Sequence, residues 1–339
     1  MKSTSKSGTT RRRFVKGSAL AGAGLAFAQQ TADIPKRPLG KTGLQTSILG
    51  VGGYHIGTAE DDATGARIIH EAIDHGINFF DNAWEYHQGL SEERMGKALV
   101  GRRDKVILMT KLCTHGRDKK VAMRQLEESL VRLRTDHLDI WQVHEVVYDD
   151  DPERIFAPGG AIEALEDAKK QGKVRFVGFT GHKDPDIHLK MLERNYPFDT
   201  VQMPLNILDA TYARSFQKLV LPELVRRDIA PLGMKSLCGS GEPVKNGVYT
   251  AEEGIRYAMS VPGVAVTISG MESPEILQQN LKIAGGFQPL KQQQMSQLAD
   301  RAHLYAADGR YELFKSTKKY DGDLGREQHQ FPVSEELPA

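Results

Sequence analysis

The chain has 339 residues, 40% of them hydrophobic, which is enough to bury a sizeable core, so disorder is not the default reading. Its formal net charge is +1, yet residues 1–28 carry six basic side chains (Lys2, Lys6, Arg11, Arg12, Arg13, Lys16) and no acid, leaving the remainder near −5. That sign speaks against a nucleic-acid partner, and the two cysteines, Cys113 and Cys238, have no zinc-ligand spacing.

Thr10-Arg11-Arg12-Arg13-Phe14-Val15-Lys16 is a twin-arginine pattern. An apolar run from Ser18 to Ala28 follows, closed by Ala26-Phe27-Ala28 as an A-x-A cleavage site. Crossing a bilayer as a helix takes about 20 apolar residues, so this run is too short for stable membrane insertion. Residues 1–28 are therefore expected to be an export signal, with the translocation machinery as a transient partner and the periplasm as destination. Residues 29–36 read as a linker.

From Arg37 the chain alternates strand and helix signals. Arg37 to Gly43 reads as the start of a hairpin with Gln45 to Leu49, and Ile48 to Val51 as a strand ending in Gly52-Gly53-Tyr54. Asp61 to His75 has apolar residues at helical spacing. Asn78-Phe79-Phe80 is a buried strand closed by Asp81. Ser91 reads as the N-cap of the next helix, with Leu90 and Met95 as a hydrophobic staple. Val106 to Met109 is a third strand, ending in Lys111, and Leu138 to Val143 a fourth, ending in His144. Val174 to Phe179 and Thr200 to Met203 are the fifth and sixth, the latter containing Gln202. Ile229 to Met234 and Val264 to Ile268 complete the set. Helical stripes separate them, including Tyr212 to Arg227, interrupted by Pro222. Ser273-Pro274-Glu275 opens another helix, and Gln292 to Tyr305 an added one.

Eight strand–helix units at crossover spacing predict an α/β fold, a single parallel (β/α)8 barrel over residues 37–310 with an N-terminal hairpin. A doubly wound open sheet is the alternative, but no G-x-G-x-x-G follows the first strand. Residues 311–339 read as a polar, loosely held tail. In the barrel, Cys113 and Cys238 follow strands on opposite sides, which predicts free thiols.

In such a barrel Asp81 and Tyr86, Lys111 and His144 all face one mouth. The segments Asn78-Phe79-Phe80-Asp81-x-Ala-x-x-Tyr86 and Gly89-x-Ser91-Glu92 resemble the aldo-keto reductase family. So do Met109-Thr110-Lys111, Gln142-Val143-His144 and Gly172-Lys173-Val174-Arg175, in the family's order, so the resemblance runs from about Arg37 to Asn280. It implies an NADP- or NAD-dependent oxidoreductase acting on a small carbonyl or alcohol substrate, with Asp81, Tyr86, Lys111 and His144 as catalytic residues. The chemistry agrees: reducing a carbonyl leaves an alkoxide to protonate, and a phenol at about pKa 10 needs help to do so. The Lys111 ammonium is expected to lower Tyr86, Asp81 to hold Lys111, and His144 to orient the carbonyl. Trp84, Tyr54 and Tyr148 are candidates for the pocket wall.

The resemblance also implies a cofactor path over Gly52, Gly53 and Asp81, then Thr180 and Gln202, then Met234, Leu237 and Gly239, and finally Gly270, Gln279 and Asn280. Three positions depart from the family pattern. Thr180-Gly181 stands for a Ser-Asn pair, Met234 for a stacking Tyr, and Gln279 for a common Glu. Gly270, Met271 and Ile276 stand where basic residues usually grip a 2′-phosphate, with Glu272 beside them, so NAD is expected to compete well with NADP. Two rival classes are a metal-dependent hydrolase, for which His55, His87, His115, His144 and His182 supply imidazoles but no H-x-H motif, and a cofactor-binding sensor without turnover.

Overall fold

The computed structural model describes residues 33–113, 116–318, 320–328 and 330–336. The twin-arginine stretch and His115 lie outside the described residues. A short antiparallel hairpin, β1 (Lys36–Pro38) and β2 (Gln45–Ser47), precedes eight parallel strands: β3 (Leu49–Gly52), β4 (Phe79–Asp81), β5 (Ile107–Leu112), β6 (Leu138–Val143), β7 (Val174–Thr180), β8 (Thr200–Pro204), β9 (Ala230–Met234) and β10 (Val266–Ser269). Each pairs with its neighbour in order, and β10 closes on β3, giving the predicted barrel.

Two cores follow from the period-two alternation of the strands. Phe79, Ile107, Met109, Ile140, Leu232, Val266 and Ile268 fill the barrel interior, and Leu39 from the hairpin plugs its base. Phe80, Leu108, Trp141, Val177, Phe179 and Val201 point outward, against the helix ring. Gly40 turns the hairpin at φ +50°, and any Cβ there would meet the Ala230 backbone nitrogen at 2.9 Å.

The helices end where their capping chemistry places them. Asp61 caps Asp62–Asp74, Asp118 caps Lys119–Leu133, and Ser273 caps Pro274–Ala284. The helix expected over Tyr212 to Arg227 is instead two short pieces, Phe216–Leu219 and Leu221–Arg226, because Pro222 cannot donate within the first and opens the second. Ser91 is not a cap. It lies inside the first turn of Leu90–Ala98 and donates to the Gly53 carbonyl, while Gly89 enters the helix at φ +96°. Leu90 is exposed, so the staple with buried Met95 does not form. Both cysteines are free, as expected. No helix among the described residues is long and apolar enough to cross a membrane.

Candidate active site

The same alternation decides which side chains reach the mouth. In β4, Phe79 points inward, so Asp81 does too. In β5, Ile107 and Met109 point inward and Lys111 follows. In β6, Ile140 leads to Gln142 and then His144. The register sets Asp81 beside Met109 and Lys111 beside Gln142, so these groups share one rim. Thr180 and Gln202 are register partners further round it.

The four residues expected at the mouth do converge. Lys111 Nζ donates to Asp81 Oδ1 and to the Asn82 carbonyl, both at 2.5 Å, and stands 3.5 Å from Tyr86 Oη. The Tyr86 ring lies edge-on to His144 with centroids 5.7 Å apart. Lys111, Asp81 and His144 are buried, whereas Tyr86 is partly open. Tyr86 is aimed by a tight turn in which His87 and Gln88 both take left-handed backbone (φ +53° and +56°).

The expected tuning of Tyr86 is reversed. Burial, then the carboxylates of Asp81, Glu85 and Glu145, hold the phenol well above its ordinary value of 10. Tyr86 therefore stays protonated.

Of the aromatic wall candidates, Trp84 is buried, donates to Glu128 Oε2 at 2.7 Å and lies under Arg132. It packs against the helix ring and does not line the mouth. Tyr54 is exposed and stands edge-on to Tyr86 at 5.4 Å, and Tyr148 donates to Asp321 Oδ2 at 3.0 Å.

That last contact belongs to the C-terminal segment, which is not a loose tail. Gly322 N donates to Glu145 Oε2 at 2.7 Å, Lys183 reaches Asp321, and His182 Nδ1 lies 3.1 Å from the Phe314 carbonyl. Tyr320 Oη is 2.9 Å from Ser240 Oγ, and Gly325 abuts Cys113. Residues 311–318 and 320–326 thus strap loops following β4, β5, β6, β7 and β9. Its anchor is Lys315, buried between Asp209 and Glu312 at 2.7 Å from each, with Asn206 donating to the other oxygen of Glu312. The sequence reads as polar because these charges are internal to the anchor and invisible to a hydropathy pattern.

Residues on the expected cofactor path fall along the rim. Gly53 is required by packing: a Cβ would meet the Asp81 carbonyl at 2.3 Å. Gly52 ends β3, Thr180 is buried at the end of β7, and Met234 is half-buried at the end of β9. Gln202 Nε2 faces Asp81 Oδ2 at 3.4 Å, while its Oε1 is buried without a partner among the described residues. Asn280 donates to Ser269 Oγ and the Gly270 carbonyl, and its Oδ1 is likewise buried and unpartnered. Leu237 is half-buried, and Gly239 and Gln279 are exposed. Gly270 carries the His55 ring against its Cα, and Met271 is fully buried. At Gly181 a Cβ would meet the Val146 carbonyl at 2.3 Å and the His188 ring at 2.7 Å, so no side chain fits where the family pattern has Asn.

Several mouth residues escape a sequence reading because they converge only in space. Glu85, Cys113 and His144 bring a carboxylate oxygen, a thiol and an imidazole nitrogen within 4.8 Å of one another. Lys235, at φ +56°, lies between the rings of Phe314 (4.9 Å) and Tyr320 (5.1 Å), and burial pulls its ammonium down to about 8. The only sequence signal for Glu85 is its place beside Tyr86. A separate cleft of about 670 Å³, lined by Arg37, Gly40 and Val264 among others, lies at the opposite, N-terminal end of the barrel and contains none of these groups.

Comparison with known proteins agrees with this geometry. The aldo/keto reductase family profile matches residues 48–241. An oxidoreductase of Bacillus subtilis is 26% identical over 287 residues, covering 74% of this chain and 90% of that protein. L-galactose dehydrogenase of Arabidopsis thaliana is 34% identical over 230 residues, covering 62% and 69%. The holo form of an aldo-keto reductase from Bacillus halodurans superposes with a TM-score of 0.68 at 25% identity, covering 82% of this chain and 99% of that one. The chain is a member of the aldo/keto reductase family.

Proposed function

We propose that the protein is an NADP- or NAD-dependent oxidoreductase that interconverts an aldehyde or ketone with its alcohol on a small, hydroxyl-bearing substrate, with Tyr86 as general acid and base. The observation that carries this reading is the convergence of Tyr86, Lys111, Asp81 and His144 at the ends of β4, β5 and β6. The residues along the rim suit a dinucleotide: Gln202 Oε1 and Asn280 Oδ1 are orphaned buried acceptors of the kind a carboxamide and an adenine amine satisfy. A nicotinamide held there would supply or accept the hydride.

The chain's own residues do the rest. Asp81 fixes the Lys111 ammonium, and Lys111 presents positive charge to Tyr86 Oη. Tyr86 holds its proton until an alkoxide, a far stronger base, forms beside it. His144 presents a second polar group from the opposite edge. In the oxidative direction Tyr86 takes the alcohol proton back. The polar mouth, with Glu85, Glu145, Lys235 and Tyr148 around it, favours a sugar-like substrate over an apolar one, in keeping with the L-galactose dehydrogenase relative.

Gly181 leaves one carboxamide contact unmade, which favours a second reading, a cofactor-binding protein without turnover. One experiment separates the two. Purified protein is mixed with reduced nicotinamide and a panel of aldoses and small ketones, and nicotinamide absorbance is followed. Consumption that disappears in Lys111→Met supports the enzyme, whereas tight cofactor binding without consumption supports the sensor.

Export by the twin-arginine route to the periplasm is part of the same proposal, supported by Arg11-Arg12-Arg13 and Ala26-Phe27-Ala28. That route carries folded proteins, so the cofactor is proposed to be loaded before export and retained through turnover. N-terminal sequencing of periplasmic protein tests the first step, with cleavage after Ala28 expected and an intact Met1 contradicting it. Denaturing extensively dialysed protein tests the second, since an empty chain would contradict retention.

A further inference from the structure

Resting on the oxidoreductase reading, we infer that Lys235 is a specificity-determining residue that binds an anionic group, a carboxylate or a phosphate, on the substrate. The residue follows β9 directly, at the mouth. The charges of Lys111, Asp81 and Glu145, carried at or just after the ends of β5, β4 and β6, all act on its ammonium.

The lysine is held from several sides. Its Nζ lies 4.9 Å from the ring centre of Phe314 and 5.1 Å from that of Tyr320, both on the strap. Its carbonyl accepts from Cys238 N at 2.8 Å and from Asn206 Nδ2 at 3.2 Å. Asn206 Nδ2 also donates to Glu312 Oε1 at 2.9 Å, so the buried anchor of the strap and the lysine share one amide. These bonds keep Lys235 in left-handed backbone, φ +56°, which a lysine seldom adopts and which persists only where the surroundings over-determine it.

What the ammonium lacks is an acid. Lys111 pairs with Asp81 at 2.5 Å, Arg117 with Asp151 at 2.9 Å, Lys183 with Asp321 at 3.3 Å, and Lys315 with Asp209 and Glu312 at 2.7 Å. Lys235 has no carboxylate at ion-pair distance among the described residues, only the two aromatic faces. The acids that act on it are engaged: Gly322 N donates to Glu145 Oε2, and Asp81 and Glu312 face their own lysines. Aromatic faces attract the charge and leave the three N–H donors to an acceptor from outside. The side chain is half-buried, so a ligand oxygen can reach it where the rings exclude part of the water, and a charge-assisted bond there is a strong one.

Burial holds His55 and His182 below the ordinary imidazole value, with the Lys235 charge adding to it in both, so neither ring offers a rival charge at pH 7. Burial likewise brings Lys235 to about 8, against the pull of Glu145, Asp81 and Glu312 and with the push of Lys111, which leaves it charged at pH 7.

The test uses three aldoses that share a carbonyl end and differ in one group: glucose, glucuronate and glucose 6-phosphate. For at least one anionic sugar kcat/KM is expected to exceed that for glucose by about 10- to 100-fold, with the gain in KM. That advantage should shrink above about pH 8, as the ammonium loses its proton. In Lys235→Met the anionic-to-neutral ratio of kcat/KM is expected to fall towards one, and in Lys235→Arg to be kept in part. Binding is read without turnover by acylating the purified protein with a small amine reagent and locating the label by peptide mass. Glucuronate or glucose 6-phosphate should protect Lys235 by about tenfold and glucose should not. Equal protection by glucose would overturn the assignment, as would a ratio near one in wild type or an unchanged ratio in Lys235→Met. So would weaker dinucleotide binding in Lys235→Met with the sugar ratio unchanged, which would give the ammonium to a cofactor phosphate. Protection by the anions without turnover of any sugar would keep the anion site and count against the oxidoreductase reading alone.

Discussion

Gly322 N donates to Glu145 Oε2, so the C-terminal segment is bonded directly to the residue that follows His144. A Cβ on Gly322 would meet Glu145 Oε2 at 2.4 Å as well as Glu85. Both contacts are to ends of flexible side chains, and the backbone is not left-handed there, so the protein can absorb a methyl group by moving two carboxylates at the site. Gly322→Ala should therefore lower kcat/KM by about tenfold through misplacement of the mouth groups. Thermal stability should hardly change. Steady-state kinetics beside a melting curve checks this, and an unchanged kcat/KM would show that the strap does not touch the reacting geometry.

The strap's anchor behaves oppositely. Lys315→Ala leaves Asp209 and Glu312 buried without their cation. Asp209 keeps the Ser215 hydroxyl and the backbone donors of Phe216 and Gln217, whereas Glu312 keeps Asn206 alone among the described residues. Breaking a buried pair this way costs about 3–5 kcal/mol. Denaturant unfolding should show that loss, and a loss below about 1 kcal/mol, the range of exposed pairs, would contradict a buried anchor.

Much of the fold was legible in the chain because it depends on local periodicity. Inward alternation in β5 carries Ile107, Met109 and Lys111 together, so placing the strand also places the lysine. The strap was not legible, since its apolar contacts come singly (Phe314, Tyr320) and its anchor is ionic. Glu85 and Cys113 are separated by 28 positions, and only the barrel's register joins them. Tyr86 was placed correctly and its electrostatics misjudged. Proximity to Lys111 is readable from motifs, but the crowd of carboxylates around the phenol is a three-dimensional fact.

His188 offers a test of stability against pH. Its ring is buried between Phe179 (5.1 Å) and Phe216 (5.0 Å), and burial lowers it to about 4. The unfolded chain binds that proton near pH 6.5 and the folded chain only near 4, so the contribution is complete above 6.5 and lost as pH falls from 6.5 towards 4. The loss is worth about 3 kcal/mol at most. Urea unfolding at stepped pH should show His188→Phe with a shallower slope across that window, the lowered His182 and His55 contributing to what remains. Parallel slopes in variant and wild type would contradict a neutral buried ring.

Cofactor choice follows from the loop after β10. Met271 is fully buried, and Glu272 lies close enough to His55 to act on its charge, so the loop presents no cation to a 2′-phosphate. NAD and NADP are expected to bind within about a hundredfold of each other, roughly 2.7 kcal/mol. Dissociation constants favouring NADP by more would mean that a cation elsewhere, Lys235 first, reaches the phosphate.

The most direct measurement is single-turnover oxidation of bound reduced nicotinamide by a carbonyl substrate, wild type against Tyr86→Phe, with cofactor affinity measured on the same samples. Tyr86 sits 3.5 Å from Lys111 Nζ and contributes only its hydroxyl to the proposed chemistry, so the variant keeps shape and loses the proton. The expected result is a rate lower by about 10² to 10⁴-fold with cofactor affinity within a factor of a few. A Tyr86→Phe protein that consumes the bound nicotinamide at the wild-type rate would contradict the account at its centre.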